Sequence, residues 1–149
     1  EICTHILGEN LQQTDTNFYF HMGVSLYNWG YIDEAEKAYR RTLAIDASHI
    51  AAHNNLGWIF YSTKRLNQAI AHYRFVLRNQ SHSVARFNLG LAYLASGDSA
   101  AAQAAYAQGA LQFGVGTDER IAALQDLEDL VEQGIQVQTA RRMMAILRP

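Results

Sequence analysis

The sequence predicts an all-α fold assembled from repeated helix hairpins, and three observations predict it. Three short apolar stretches carry a glycine at a near-constant interval: Gly57 follows Gly23 by 34 residues and Gly90 follows Gly57 by 33. Each glycine is followed twelve residues later by an alanine (Ala35, Ala69, Ala102) and four residues after that by a tyrosine (Tyr39, Tyr73, Tyr106). The only proline is Pro149, so no internal proline interrupts a helix. A period of this length marks a repeat architecture in which each unit buries its apolar face against its neighbours.

Composition sets the frame. With 149 residues, 49% hydrophobic and 17% charged, the chain has the make-up of an ordered domain with a core. A formal net charge of −2 exerts no general pull on nucleic acid or an anionic membrane. No apolar run is long enough to cross a bilayer and no signal peptide is present. The lone Cys3 excludes an internal disulfide. The chain begins at Glu1 rather than methionine and reads as a piece of a longer protein. No address is encoded in it, so the compartment is unknown and the cytoplasm is only the default.

The elements follow in order. Residues 1–15 read as the end of a preceding repeat helix plus a loop, with Ile2, Ile6 and Leu7 as a short apolar stripe, Gly8 as the C-cap and Glu9–Asp15 as polar loop. The first full unit spans 16–49. Its first helix carries Phe18, Met22, Leu26 and Trp29 at helical spacing, and its second opens at Asp33 with Glu36 three residues on, a capping box. Asp33–Lys37 and Glu36–Arg40 then form i,i+4 pairs on its wet face. The second unit spans 50–82, with Asn67 as the matching N-cap, and the third spans 83–116, with Asp98 or Ser99 in that role. Residues 117–149 read as a degenerate fourth repeat that supplies capping helices. One helix starts at Thr117–Asp118 with Ile121, Leu124, Leu127, Leu130 and Val131 on one side. Gly134 ends it, and a last helix aligns Val137, Ala140, Met144 and Leu147.

Gly23 and Ala35 fall where the two helices of a hairpin cross. Small residues there let the axes approach to about 8–10 Å. A glycine could instead merely weaken its helix, at about 1 kcal/mol against alanine. Three glycines at equivalent points favour close packing.

The stretches Tyr19–Leu26, His53–Phe60 and Arg86–Tyr93, with their alanines and tyrosines, resemble the tetratricopeptide repeat. Its signature runs aromatic, Leu-Gly, Tyr, Ala, aromatic over about 34 residues. The resemblance covers residues 16–116. The chain departs from the pattern in having His53 and Arg86 at the first aromatic, Ala47, Ser81 and Gly114 at the closing proline, and Gly109-Ala110 where Thr42-Leu43 and Val76-Leu77 stand in the other units.

The resemblance implies a right-handed α-solenoid of helix hairpins whose first helices line a concave, peptide-binding groove. Carried onto this chain, the inward positions are Asn17, Phe20, His21, Val24 and Tyr27 in the first unit; Ala51, Asn54, Asn55, Trp58 and Tyr61 in the second; and Val84, Phe87, Asn88, Leu91 and Leu94 in the third. Asn55 and Asn88 occupy the same place in successive units, where asparagines of some members bind peptide backbone. A carboxamide offers donor and acceptor together, which matches a peptide unit of any sequence. Both could equally be ordinary surface polar residues. Phe20, Tyr27, Trp58, Tyr61 and Phe87 offer large contact area at small entropic cost, unless several turn into the core between repeats. An apolar peptide or amphipathic helix is the implied ligand. Members that clamp a chaperone's terminal carboxylate use Lys, Asn, Asn, Lys and Arg, where this chain has Phe20, Val24, Asn55, Val84 and Asn88, so chaperone tails are not expected.

Charge is unevenly spread. Lys64, Arg65, Arg74 and Arg78 stand without an acid between residues 50 and 82, whereas Asp118, Glu119, Asp126, Glu128, Asp129 and Glu132 gather around Arg120. Such patches allow a head-to-tail homodimer or are simply solvated faces.

No catalytic residues, cofactor or metal are expected. His49 and His53 are four apart but lack further ligands nearby. Gly114-Val115-Gly116 is too short for a phosphate loop, no Gly-x-Ser-x-Gly occurs, and Cys3 and His5 point apart on a helix. The leading reading is a non-catalytic protein-interaction module. Two alternatives stay open: a targeting or scaffold segment of a larger enzyme such as a glycosyltransferase, and a homo-oligomerisation domain whose groove is filled by its own C-terminal helix or a sister chain.

Overall fold

A computed structural model describes the backbone of residues 2–81 and 84–148, and the side chains of residues 14–81 and 84–148. The described residues form eight helices and no strand: α1 Ile2–Asn28, α2 Ile32–Ile45, α3 Ile50–Ser62, α4 Leu66–Asn79, α5 Ala85–Ser96, α6 Ser99–Gln112, α7 Asp118–Glu132 and α8 Val137–Leu147. The fold is all-helical among the described residues. The chain divides into two compact units, Glu1–Ile59 and Phe60–Pro149, with the division inside α3.

Four helix pairs share one turn. The residue seven after each repeat glycine is left-handed: Gly30 at φ 85°, Lys64 at 64° and Gly97 at 88°, with Gly134 at 74° closing α7 in the same way. The next residue's N–H reaches back to the carbonyl five earlier, in Tyr31→Leu26 at 2.9 Å, Arg65→Phe60 at 2.8 Å, Asp98→Tyr93 at 2.9 Å and Ile135→Leu130 at 2.9 Å. This is the Schellman arrangement, which satisfies carbonyls that the helix end would leave open. Lys64 holds the left-handed position without glycine's freedom, at a cost of about 1 kcal/mol. Lys64→Gly is therefore expected to stabilise the chain by about 0.5–1 kcal/mol after loss of its weak contact with the Tyr61 ring, read as an upward shift of the urea midpoint.

This two-residue turn displaces the expected caps. The residue after the left-handed position is at once the end of one hairpin turn and the N-cap of the next helix. Tyr31 and Arg65 stand there for α2 and α4 and make no side-chain cap, while Asp33 falls inside the first turn of α2 and Asn67 inside α4. Asp98 is a true cap, accepting from the Ala101 N–H at 3.0 Å. The Glu36–Arg40 pair does form, at 2.7 Å.

In the first unit, Gly23 is buried beneath the ring of Tyr39. A β-carbon there would come within 2.7 Å of Tyr39 Cε1. In the second unit, Gly90 lies beneath Tyr106 in the same way, at 2.9 Å from Cε2. Gly57 is buried as well. The close approach that the glycines permit is thus to the tyrosine sixteen residues on, while Ala35, Ala69 and Ala102 are fully buried on the second helices.

Three expectations are corrected. α1 runs unbroken from Ile2 to Asn28, so no cap forms at Gly8 and no loop at Glu9–Asp15. Glu9–Asp15 lacks proline and contains good helix formers, and a single glycine costs too little to stop a helix. The side chains of Ile2, Ile6 and Leu7 lie outside the described residues. The apolar stripe of α1 is not core: Phe18 is 61% exposed and Trp29 73%, with Met22 at 36%. On α7, Leu127 and Leu130 are buried, but Ile121 is exposed.

Within the second unit, two arginines organise the packing. Arg86, at the position of the signature aromatic, donates to Gln112 Oε1 at 3.1 Å, to Gln108 Oε1 and to the Ser81 carbonyl at 3.1 Å, joining the start of α5 to the end of α6. Arg120 of α7 is buried and fans out over the ends of two helices. It donates to the Leu147 carbonyl at 2.6 Å and Ile146 at 3.2 Å on α8, and to Phe113 at 3.2 Å and Ala110 at 3.4 Å at the end of α6.

Candidate functional site

The first helices carry the expected binding residues, and each compact unit presents its own set. In the first unit, Phe20, Val24 and Tyr27 follow one another along α1 at spacings of four and three, the rule for one helix face, and on α3 Asn54 and Asn55 lie four and three residues before Trp58. All six are half-buried, in contact with the core yet open to solvent. The two helices are tied by a hydrogen bond from Trp58 Nε1 to the Tyr27 hydroxyl at 2.8 Å, which fixes both aromatic rings in place. Phe20 packs its ring 4.7 Å from His49 and 5.8 Å from Tyr39.

The asparagines differ in their engagement. Asn55 donates from Nδ2 to the Tyr39 hydroxyl at 3.1 Å. Burial raises the pKa of Tyr39, and this hydrogen bond opposes the shift. With its amide nitrogen committed, Asn55 keeps Oδ1 as an acceptor without a hydrogen bond among the described residues. Asn54 Oδ1 is buried with no hydrogen-bond partner, an arrangement that costs about 1–3 kcal/mol. Asn17 is exposed and lies with Phe18, His21 and Met22 around a cleft of about 450 Å³ on a different part of α1.

The second unit holds Tyr61, Phe87, Asn88 and Leu91. Tyr61 and Asn88 are half-buried, but Phe87 and Leu91 are each only 2% exposed and belong to the core. They are withdrawn from the expected groove. Phe87 turns inward because Gly109 leaves a slot: a β-carbon at Gly109 would run into Phe87 Cε1. The ring then stacks with Tyr106 and lies tilted against Phe113. Leu91 and the fully buried Leu94 sit on α5, against which α7 packs.

Sequence reasoning missed the acids that face Tyr61. Asp126 of α7 is half-buried, and desolvation raises its carboxyl pKa, with the charge of Asp129 adding to the shift. Tyr61 is pushed up to about 12 by burial first, then by Asp126 and Asp129. Tyr106 is raised well above its ordinary value by burial, then by Asp126 and Tyr61. The i,i+3 spacing of the two acids was visible, but their direction depends on how α7 packs. Because the folded chain holds the Asp126 proton more tightly than the unfolded chain, the ionised group costs stability above its raised pKa. That cost vanishes as pH falls below the ordinary carboxylate range. Asp126→Asn is expected to raise the Tm at pH 7, with the gain fading in acid; a lower Tm at pH 7 would contradict the assignment.

The histidines considered for metal serve the backbone. Ala52 N–H donates to His49 Nδ1 at 3.1 Å, at the start of α3, and a ring nitrogen of His53 lies 2.9 Å from the Ala47 carbonyl oxygen. No three His, Cys, Asp or Glu converge among the described residues. No helix among them is long and apolar enough to cross a membrane.

Comparison with known proteins places this geometry. The family model of the tetratricopeptide repeat matches residues 16–49, 50–80 and 84–110. No curated protein sequence matches the chain. Among solved structures, the chain is similar to a crystal structure of MamA, with a TM-score of 0.69 and 17% identity over 93% of this chain and 81% of that one. It is similar to MamA 41-end from Desulfovibrio magneticus RS-1, with a TM-score of 0.68 and 19% identity over 89% and 73% of the two chains. It is also similar to the first tetratricopeptide domain of Spaghetti (RPAP3) bound to the HSP90 peptide SRMEEVD, at 0.67 and 16% over 80% and 93%. At these identities the likeness is one of fold.

Proposed function

Because the chain belongs to the tetratricopeptide repeat family, we propose that it is a non-catalytic protein-interaction module that holds a peptide or amphipathic helix against its first helices. The observation that carries this reading is the α1–α3 face of the first unit. Aromatic residues fixed by the Trp58–Tyr27 hydrogen bond stand beside the half-buried Asn55, whose amide nitrogen is held by the Tyr39 hydroxyl. Half-buried rings supply contact area that is already ordered, and a carboxamide oxygen can accept from backbone N–H groups of any sequence. Asn88 and Tyr61 offer the same chemistry in the second unit.

The likeness to a domain bound to SRMEEVD supports a peptide as the class of ligand. That acidic peptide itself is not the expected one. Of the five positions that form a carboxylate clamp in such domains, this chain keeps only Asn55, and Phe20, Val24, Val84 and Asn88 bring no cation. A carboxylate desolvated there would lack compensation.

The test is selection of binding peptides from a displayed library on the intact chain, followed by titration of the best one against variants. Trp58→Ala and Asn55→Ala are each expected to weaken it about tenfold or more, about 1.4 kcal/mol, with helix content unchanged by circular dichroism. Undiminished affinity in both variants would overturn the assignment to this face.

A further inference from the structure

The repeat register identifies a second surface, distinct from the face that carries the proposed function. Counting from the repeat glycines, Phe18 corresponds to Ala52 and Ala85, and Met22 to Leu56 and Leu89. Ala52 and Ala85 are fully buried, Leu56 is 1% exposed and Leu89 is 8% exposed. Phe18 and Met22 stand in solvent at 61% and 36%. On α5 these positions are buried, and α4, the second helix of the preceding hairpin, is among the helices that contact it. The same face of α1 has no helix of the described residues in that role. Its apolar floor continues into a cleft of about 340 Å³ between α1 and α2, where Tyr19, Met22, Leu26 and Ala38 are rimmed by Lys37 and Arg41, with Glu34 alone opposing them. Arg41 is set at the edge by its guanidinium over the Tyr19 ring, 5.6 Å from the centroid.

We propose that this α1–α2 face docks an amphipathic α-helix of another polypeptide, one whose apolar stripe is flanked by acidic residues. The shape of the occupant comes from the chain itself, since a helix fills the equivalent position on α5. Its charge comes from the rim, where two exposed cations outnumber one acid. A contiguous exposed patch of this kind marks an interaction surface. A second copy of the chain is an outcome that the test below distinguishes.

Two synthetic helices of about 18 residues, long enough to be helical once stapled, share one Leu/Ala stripe and differ only in flanking Glu or Lys. Fluorescence anisotropy with the whole chain is expected to show the Glu-flanked helix binding at least tenfold more tightly. Met22→Asp removes that binding, Lys37→Glu with Arg41→Glu inverts the preference, and Trp58→Ala leaves it unchanged. This last variant separates the site from the peptide face of the first helices. Met22 is at the surface, and the charge-reversal variant lies on the exposed rim, so either tests the site in a folded chain. Equal affinity for the two helices, or binding indifferent to Met22→Asp, would overturn the proposal. So would a concentration-dependent dimer in sedimentation that Met22→Asp abolishes, which would give the face to a second copy.

Discussion

Arg120→Met is expected to be the most damaging single substitution in the chain, costing about 3–5 kcal/mol and loosening α7 and α8. The guanidinium is buried and has no acid within bonding distance among its contacts; its partners are four backbone carbonyls, at Ala110, Phe113, Ile146 and Leu147. These are the open carbonyls at the C-terminal ends of α6 and α8, where partial negative charge gathers and a cation is stabilising. Methionine fills similar volume but leaves those oxygens buried and unmet. Lysine restores the charge but not the fork, so Arg120→Lys should recover only part of the loss. Urea unfolding followed by helix signal checks both. A loss below about 1 kcal/mol for Arg120→Met would mean that water replaces the guanidinium freely.

Gly109→Val is expected to destabilise by about 1–3 kcal/mol, because its side chain must enter space held by the Phe87 ring. The repeats supply the rescue. At the two corresponding positions the second repeat carries Asn54 and Val76, the first carries Phe20 and Thr42, and the third carries Phe87 and Gly109. Phe87→Asn alone leaves a void beside Gly109. Combined with Gly109→Val it restores the pair found in the second repeat. The double variant should therefore be more stable than the sum of the single changes predicts, by a coupling of about 1–3 kcal/mol in a double-mutant cycle. Strict additivity would show that the slot and the ring are independent.

Those two residues also show where sequence reading stops. The glycines, alanines and tyrosines of the repeat were legible because their spacing is fixed by local helix geometry and by one short turn. Gly109 was legible as a departure from the pattern, but not its consequence, which is that Phe87 leaves the expected groove for the core. Leu91 sits on α5, which α7 contacts from further along the chain, and local spacing does not reveal that contact. Phe18, Met22 and Trp29 have the periodicity of a core stripe, yet periodicity cannot say whether a neighbour covers them. Arg120 read as a lone cation among acids, because a residue that binds backbone carbonyls leaves no mark in the identity of its partners. The caps shifted for a simpler reason: the turn is shared by two helices, so the N-cap falls on Tyr31 and Arg65 rather than on the polar residues two further on.

The α1–α3 face is the proposed place where a polypeptide is held. A photo-crosslinking amino acid placed at Val24, on that face, and separately at Ala104, exposed on α6, tests it most directly with a library-selected peptide. Crosslinking at position 24, with little or none at 104, is the predicted result. Crosslinking at 104 with none at 24 would contradict it.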